Sequence, residues 1–226
     1  LILSCILKYI SPYLALEATT LNGLIGISLT PMAIAIFLIA LACAAILAFY
    51  LNPLSFWLSV AAVPVIIAYP LAKRFFPAPQ LILSLAWGFA VLISWTAVTA
   101  QVEFATWLLW GATVFWTLGF DTVYALADRE DDQRLGVNST AIWFGDYTVG
   151  AIGVFFALTS GLLAYLGLEM GLSSAFWISW SLALLGWAWQ VGRLLAPEIS
   201  RPVYGQIFGE NVWIGFILLL GMALGQ

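Results

Sequence analysis

Apolar positions along this chain come in long uninterrupted runs, and the interruptions carry turn chemistry. Seven runs stand out, near 31–51, 54–72, 81–99, 103–120, 148–168, 172–192 and 209–225. Each is close to the roughly 20 residues a helix needs to cross the hydrocarbon of a bilayer. Between them lie Asn52-Pro53, Pro77-Ala78-Pro79, Gly171 and Pro197, all residues that break helices or shape turns. Residues 1–16 form a further apolar segment, interrupted by Lys8 and Pro12. It lacks the basic start and small-residue cleavage site of a secretory signal. A chain that starts at Leu1 is consistent with a fragment or a processed product. The pattern predicts an all-α, multi-span transmembrane helix bundle: about seven full spans plus an N-terminal partial segment. Residues 1–226 read as one integral-membrane domain with an atypical stretch at 1–30.

Seven crossings require the connecting loops to alternate sides, and the charges test this. Lys73 and Arg74 follow the second run, Arg129 and Arg134 the fourth, Arg193 and Arg201 the sixth. The intervening loops, near 51–54, 99–104 and 168–172, hold no Lys or Arg. Every basic residue except Lys8 therefore falls on one face, which the positive-inside rule makes cytoplasmic.

Composition agrees with a membrane protein. The chain is 64% hydrophobic and 8% charged, with a mean hydropathy of +1.06. Seven Lys and Arg make no basic stripe, so nucleic-acid binding is excluded. Histidine is absent, which removes imidazole as a base or as a haem or zinc ligand. Cys5 and Cys43 sit in apolar segments and are expected to be buried as small hydrophobes.

Against this background one stretch is anomalous. Asp121-Thr-Val-Tyr-Ala-Leu-Ala-Asp-Arg-Glu-Asp-Asp132 holds five of the eleven acids: Asp121, Asp128, Glu130, Asp131 and Asp132. On a helix, Asp121, Asp128 and Asp132 fall within about 20° of a common line. Asp128 and Asp132 are also i,i+4 neighbours. Carboxylates that close repel unless a cation sits between them or one is protonated, and a hard divalent cation with oxygen ligands resolves this. Asp121 and Tyr124 still belong to the end of an apolar span, where an unpaired carboxylate is costly and usually functional. A solvated acidic loop on the cytoplasmic side is the plainer alternative. A second signal is Tyr69-Pro-Leu-Ala-Lys73 followed by Arg74. Taken alone it is an interfacial tyrosine beside topology anchors. Beside a metal-type carboxylate cluster, the same residues become candidates for an anionic phosphate.

At these residues the sequence resembles a known family. DTVYALADREDD at 121–132 and GVNSTAIWFG at 136–145 look like the second aspartate-rich region of UbiA-type membrane prenyltransferases. The resemblance is closest to the 4-hydroxybenzoate polyprenyltransferase branch. Tyr69-x-x-x-Lys73 matches that superfamily's YxxxK element. The span order and Asn211 at the start of the last span also fit, so that residues 31–226 resemble helices 3–9 of the family. WLLWGATVFWTLGFDTVYA at 107–125 looks like the cyanobacterial form, which makes plastoquinone precursors. The resemblance implies a nine-helix bundle in a bacterial inner membrane, with a central cavity open to the lipid. It implies Mg²⁺-dependent transfer of a polyprenyl group from a polyprenyl diphosphate to 4-hydroxybenzoate. Carried over, Asp128 and Asp132 match the pair that holds Mg²⁺ and diphosphate, and Asp121 matches the preceding acid and is a third metal-ligand candidate. Lys73 and Arg74 match basic residues near the diphosphate, with Tyr69, Tyr124 and Arg129 as further substrate-binding candidates.

The family also has an earlier motif of the form NDxxDxxxD. LEATTLNGLIGISL at 16–29 holds one acid, Glu17, and no Asp, so an inactive or truncated relative is one alternative expectation. In the transfer reaction an allylic cation needs an electron-rich pocket. Trp95, Trp110, Trp116 and Phe120 are candidates to face it through cation–π contact, although belt packing also explains them. Arg129 and Arg134 are candidates for the benzoate carboxylate. A cation-coupled transporter is a rival, weakened by the absence of an internal repeat and by acids placed at the membrane edge. An alcohol phosphotransferase is another, but its DGxxAR…GxxxDxxxD pattern is absent.

Overall fold

The computed structural model describes residues 31–197 and 199–226. Expectations for Cys5, Lys8, Pro12, Glu17 and the 16–29 stretch lie outside the described residues. The chain divides into two units, one ending at Tyr50 and one running from Leu51 to Gln226. The described part of the first unit is essentially one helix, α1 (Pro31–Phe49). Leu38, Ile39, Ile46 and Leu47 on it are exposed. Cys43, expected to be buried, is exposed as well and unpaired. The helix is apolar over its whole length, so an apolar setting in the sequence does not by itself bury a cysteine.

The second unit contains α2 (Pro53–Ala72), α3 (Pro79–Thr99), α4 (Phe104–Leu135), the short α5 (Thr140–Phe144) and a 3-10 turn (Gly145–Tyr147). These are followed by α6 (Thr148–Glu169), α7 (Ser174–Leu194) and α8 (Arg201–Leu224). Each of the seven apolar runs corresponds to a long helix. Four stretches, Pro53–Ala72, Pro79–Thr99, Thr140–Glu169 and Arg201–Leu224, are long and apolar enough to cross a membrane. Large apolar side chains cover the outside, among them Trp57, Val98, Leu185 and Trp213. This is the surface of an integral membrane protein.

Local sequence explains where the helices start and stop. The Asn52 side chain accepts from the Ser55 backbone N–H at 3.0 Å and donates to the Thr96 carbonyl at 2.6 Å. It thereby caps α2 and ties it to the end of α3. Proline opens α2 and α3, where its missing N–H costs nothing. At the start of α4, Glu103 and Thr106 form a reciprocal capping box.

Two helices run beyond their apolar runs. The fourth run ends near residue 120, and the acidic stretch after it reads as a helix face, with a solvated loop as the alternative. The helix is what forms: α4 runs unbroken for 32 residues, about 48 Å, which is more than a bilayer core is thick. Nothing between Asp121 and Leu135 breaks a helix, and Glu130 and Arg134 add an i,i+4 pair. The stop comes at Gly136, whose φ of 65° is the left-handed conformation that glycine adopts freely. The last helix likewise begins at Arg201, eight residues before the apolar run suggests, with a proline in its first turn.

α4 is the central element of this unit. It packs against α3, α6 and α8, while α2 packs on α3, α6 on α7 and α7 on α8. The core joins Ile152, Phe156, Leu166, Phe176, Trp187 and Ile207. α4 and α6 approach closely at Gly119, where a Cβ would lie 2.6 Å from Phe156 Cε1. Small residues at helix contacts are what membrane packing favours. Among the described residues no buried side-chain nitrogen or oxygen lacks a hydrogen-bond partner.

Candidate active site

The polar end of the unit is built from the C-terminus of α2, the extension of α4, the loop after it and the N-terminus of α8. Backbone and side-chain bonds fix that loop. The Asn138 N–H donates to the Lys73 carbonyl at 2.8 Å, and the Thr140 N–H donates to Gln80 Oε1 at 2.9 Å. The Thr122 and Thr140 hydroxyls share a bond of 2.9 Å. Ser139 caps α5 by accepting from the Ile142 N–H at 3.3 Å. The ends of α2 and α4 and the start of α3 are thus held in one register.

This register gathers most of the residues singled out from sequence. The Tyr69 hydroxyl lies within electrostatic reach of Asp121, Asp132 and Tyr124. Lys73 acts on both Asp121 and Asp132. Ser139 also lies close enough to Asp132 to favour its charged form. Burial raises the Asp132 carboxyl above the usual carboxylate range, with Lys73 opposing that rise and Asp128 reinforcing it.

Asp128 has a partner on another helix. Arg201 Nη2 donates to Asp128 Oδ1 at 2.9 Å and to Asp131 Oδ2 at 2.8 Å. The carboxylate face is therefore shared: Asp121 and Asp132 lie near Lys73, while Asp128, still close enough to act on Asp132, is also tied to α8 by Arg201. Among the described residues, Arg74 and Arg129 enter no ion pair, whereas Arg134 is exposed and pairs with Glu130 and Asp131.

The aromatic candidates scatter. Trp95 Nε1 donates to Glu103 at the opposite end, at 3.0 Å, far from the carboxylates along α4. Trp110 packs against Gly88 of α3. Trp116 Nε1 donates to Asn211 Oδ1 at 2.8 Å, turning this indole toward α8. Phe120 packs edge-on against Phe208, which also meets Tyr124. Only Phe120, next in sequence to Asp121, remains close to the acids. An apolar cavity of about 150 Å³ between α4, α6 and α8 includes Trp116, Thr159 and Gly215 in its lining, but none of the carboxylates.

Sequence reasoning placed Arg201 only as a topology marker, named Asp131 only as one acid of the anomalous stretch, and did not single out Ser139. The Ser139 signal was available, as a capping residue ahead of a short helix. The Arg201–Asp128 pair spans 73 residues, and no spacing rule reaches that far.

The sequence profile of the UbiA prenyltransferase family matches residues 26–224. The chain belongs to the UbiA prenyltransferase family. Family membership sets aside the transporter and alcohol-phosphotransferase readings. The chain is similar to 4-hydroxybenzoate solanesyltransferase of Synechocystis sp., at 65% identity over 85% of this chain and 66% of that one. It is also similar to 4-hydroxybenzoate octaprenyltransferase of Burkholderia vietnamiensis, at 38% identity over 81% of this chain and 65% of the relative. The chain thus spans just under two thirds of the length of these curated relatives. In fold it resembles the apo structure of a UbiA homolog from Aeropyrum pernix K1. The TM-score there is 0.72 at 21% identity, covering 97% of this chain and 83% of that one.

A UbiA-type site implies a divalent metal, and the donor set can be tested against that. Among the described residues no group of three or more His, Cys, Asp or Glu side chains gathers into a cage. Mg²⁺ does not need one: it usually takes one or two carboxylates and fills its shell with water and substrate phosphate. Asp128 and Asp132, one turn apart, fit that requirement. The cationic guanidinium already set against Asp128 shows that this carboxylate accepts positive charge.

Proposed function

We propose that this protein transfers a polyprenyl group from a polyprenyl diphosphate to the ring of 4-hydroxybenzoate, with Mg²⁺ as cofactor. The observation that carries this reading is the 65% identity to 4-hydroxybenzoate solanesyltransferase. The carboxylate face on α4, set against Lys73, supports it. In this reading Asp128 and Asp132 hold Mg²⁺, and Asp121 extends the acidic face toward Lys73. When bound, Mg²⁺ supplies positive charge to the diphosphate leaving group. Lys73 and Arg74 add to that charge stabilisation as the allylic C–O bond breaks and the diphosphate departs with the bonding electrons. Tyr69, Tyr124 and Arg129 contribute to substrate binding at the same face. The ring carbon ortho to the phenol forms the new C–C bond, and loss of the ring proton restores aromaticity. That proton is acidic once the cationic adduct has formed, which suits a chain without histidine. The polar end is cytoplasmic, because every Lys and Arg among the described residues belongs to it.

The reading is tested with the full-length protein in membranes, given Mg²⁺, solanesyl diphosphate and isotopically labelled 4-hydroxybenzoate. Mass spectrometry of the lipid extract should find a ring-prenylated acid that disappears with EDTA. Product from other aromatic acids, and none from 4-hydroxybenzoate, would overturn the acceptor assignment.

A further inference from the structure

Arg201 is in a position that its own helix does not favour. It is the first residue of α8, where the helix macrodipole is positive and a cation is mildly destabilising. The compensation comes from another helix. One guanidinium nitrogen of Arg201 bridges Asp128 Oδ1 at 2.9 Å and Asp131 Oδ2 at 2.8 Å. Asp128 is one of the two carboxylates assigned above to the metal. A guanidinium on its Oδ1 and a divalent cation on the same carboxylate repel each other and share its single negative charge. The side chain of Arg201 is 62% exposed, so it has room to swing away without unpacking the helix.

We infer that Arg201 is a built-in competitor for the divalent cation at Asp128, holding this carboxylate until the metal displaces it. The inference rests on the assignment of Asp128 as a metal ligand. It adds a role for a residue on α8 that the spacing of the aspartates does not reveal. Arg201 thereby raises the metal concentration needed to load the site and keeps the like-charged Asp128 and Asp131 together before loading.

The test uses Mn²⁺ alone, with no substrate, on the full-length protein in nanodiscs, with free Mn²⁺ measured by electron paramagnetic resonance. An exposed ion pair is modest in strength, so Arg201→Gln should tighten Mn²⁺ binding about two- to five-fold. Arg201→Lys, which keeps the charge, should stay nearer the wild type. Unchanged or weaker binding in Arg201→Gln, while Asp128→Asn abolishes binding, would overturn the inference and leave the metal site standing. Wild-type binding insensitive to Asp128→Asn would remove the metal assignment and the inference with it. A second measurement needs no variant. Added Mn²⁺ should speed modification of Arg201 by phenylglyoxal, mapped by peptide mass spectrometry, because the displaced guanidinium loses its two carboxylate partners. A rate that stays constant or falls would count against displacement.

Discussion

Between α7 and α8, Asn211 Oδ1 accepts from both Trp116 and Trp187, at 2.8 and 3.2 Å. Its Nδ2 donates to Gln190 Oε1 at 3.1 Å and to the Ile207 carbonyl at 2.9 Å. Gln190 in turn donates to Glu210, which is also paired with Arg193. The carboxylates on α4 are arranged differently. Asp128 is held by one exposed arginine, while Asp121 and Asp132 enter none of the ion pairs among the described residues. One cluster is closed, with its polar groups matched inside the protein. The other is open, with charge left for something that arrives. In a membrane protein the first pattern is interhelical glue, and the second is where function is expected. Substitutions in the closed cluster should therefore register as stability, and substitutions in the open one as activity.

The largest stability effect is expected at Asn211. Asn211→Leu would strip the partner from two indole N–H groups and one glutamine, costing about 2 kcal/mol or more. Thermal unfolding in detergent should show a drop of several degrees, and a value unchanged from the wild type would contradict the closed-network account. Gly119→Ala should come next. It would push a methyl against Phe156 at the α4–α6 contact and cost about 1–3 kcal/mol, read as a lowered Tm. An unaffected Tm would show that the two helices have room to spare. Arg134→Ala, which breaks only exposed pairs with Glu130 and Asp131, should change stability by less than about 1 kcal/mol. A large loss there would mean that the α4 extension depends on its surface ion pairs.

Much of this arrangement was legible in the sequence, for identifiable reasons. Asn52-Pro53, Pro79 and Gly171 punctuate the apolar runs, and helices begin or end at or near each of them. The i,i+4 spacing of Asp128 with Asp132 reports neighbours on one helix, and Tyr69 with Lys73, the residue just past the end of α2, lies at the same polar end. Two features were not legible. How far α4 extends is hidden because charged residues leave helix and solvated loop both open, and only Gly136 stops the helix. The directions of Trp116 and Arg201 depend on Asn211 and Asp128, partners on other helices, and apolar periodicity is blind to them.

The central claim is that the open face on α4 serves prenyl transfer rather than folding. The most direct measurement takes Asp128→Asn in the full-length protein and compares its rate of 4-hydroxybenzoate prenylation and its Tm with the wild type. The account predicts a rate lower by about 100-fold or more, with a Tm within a few degrees of the wild type. A variant that keeps its rate, or that loses activity only in step with its fold, would contradict it.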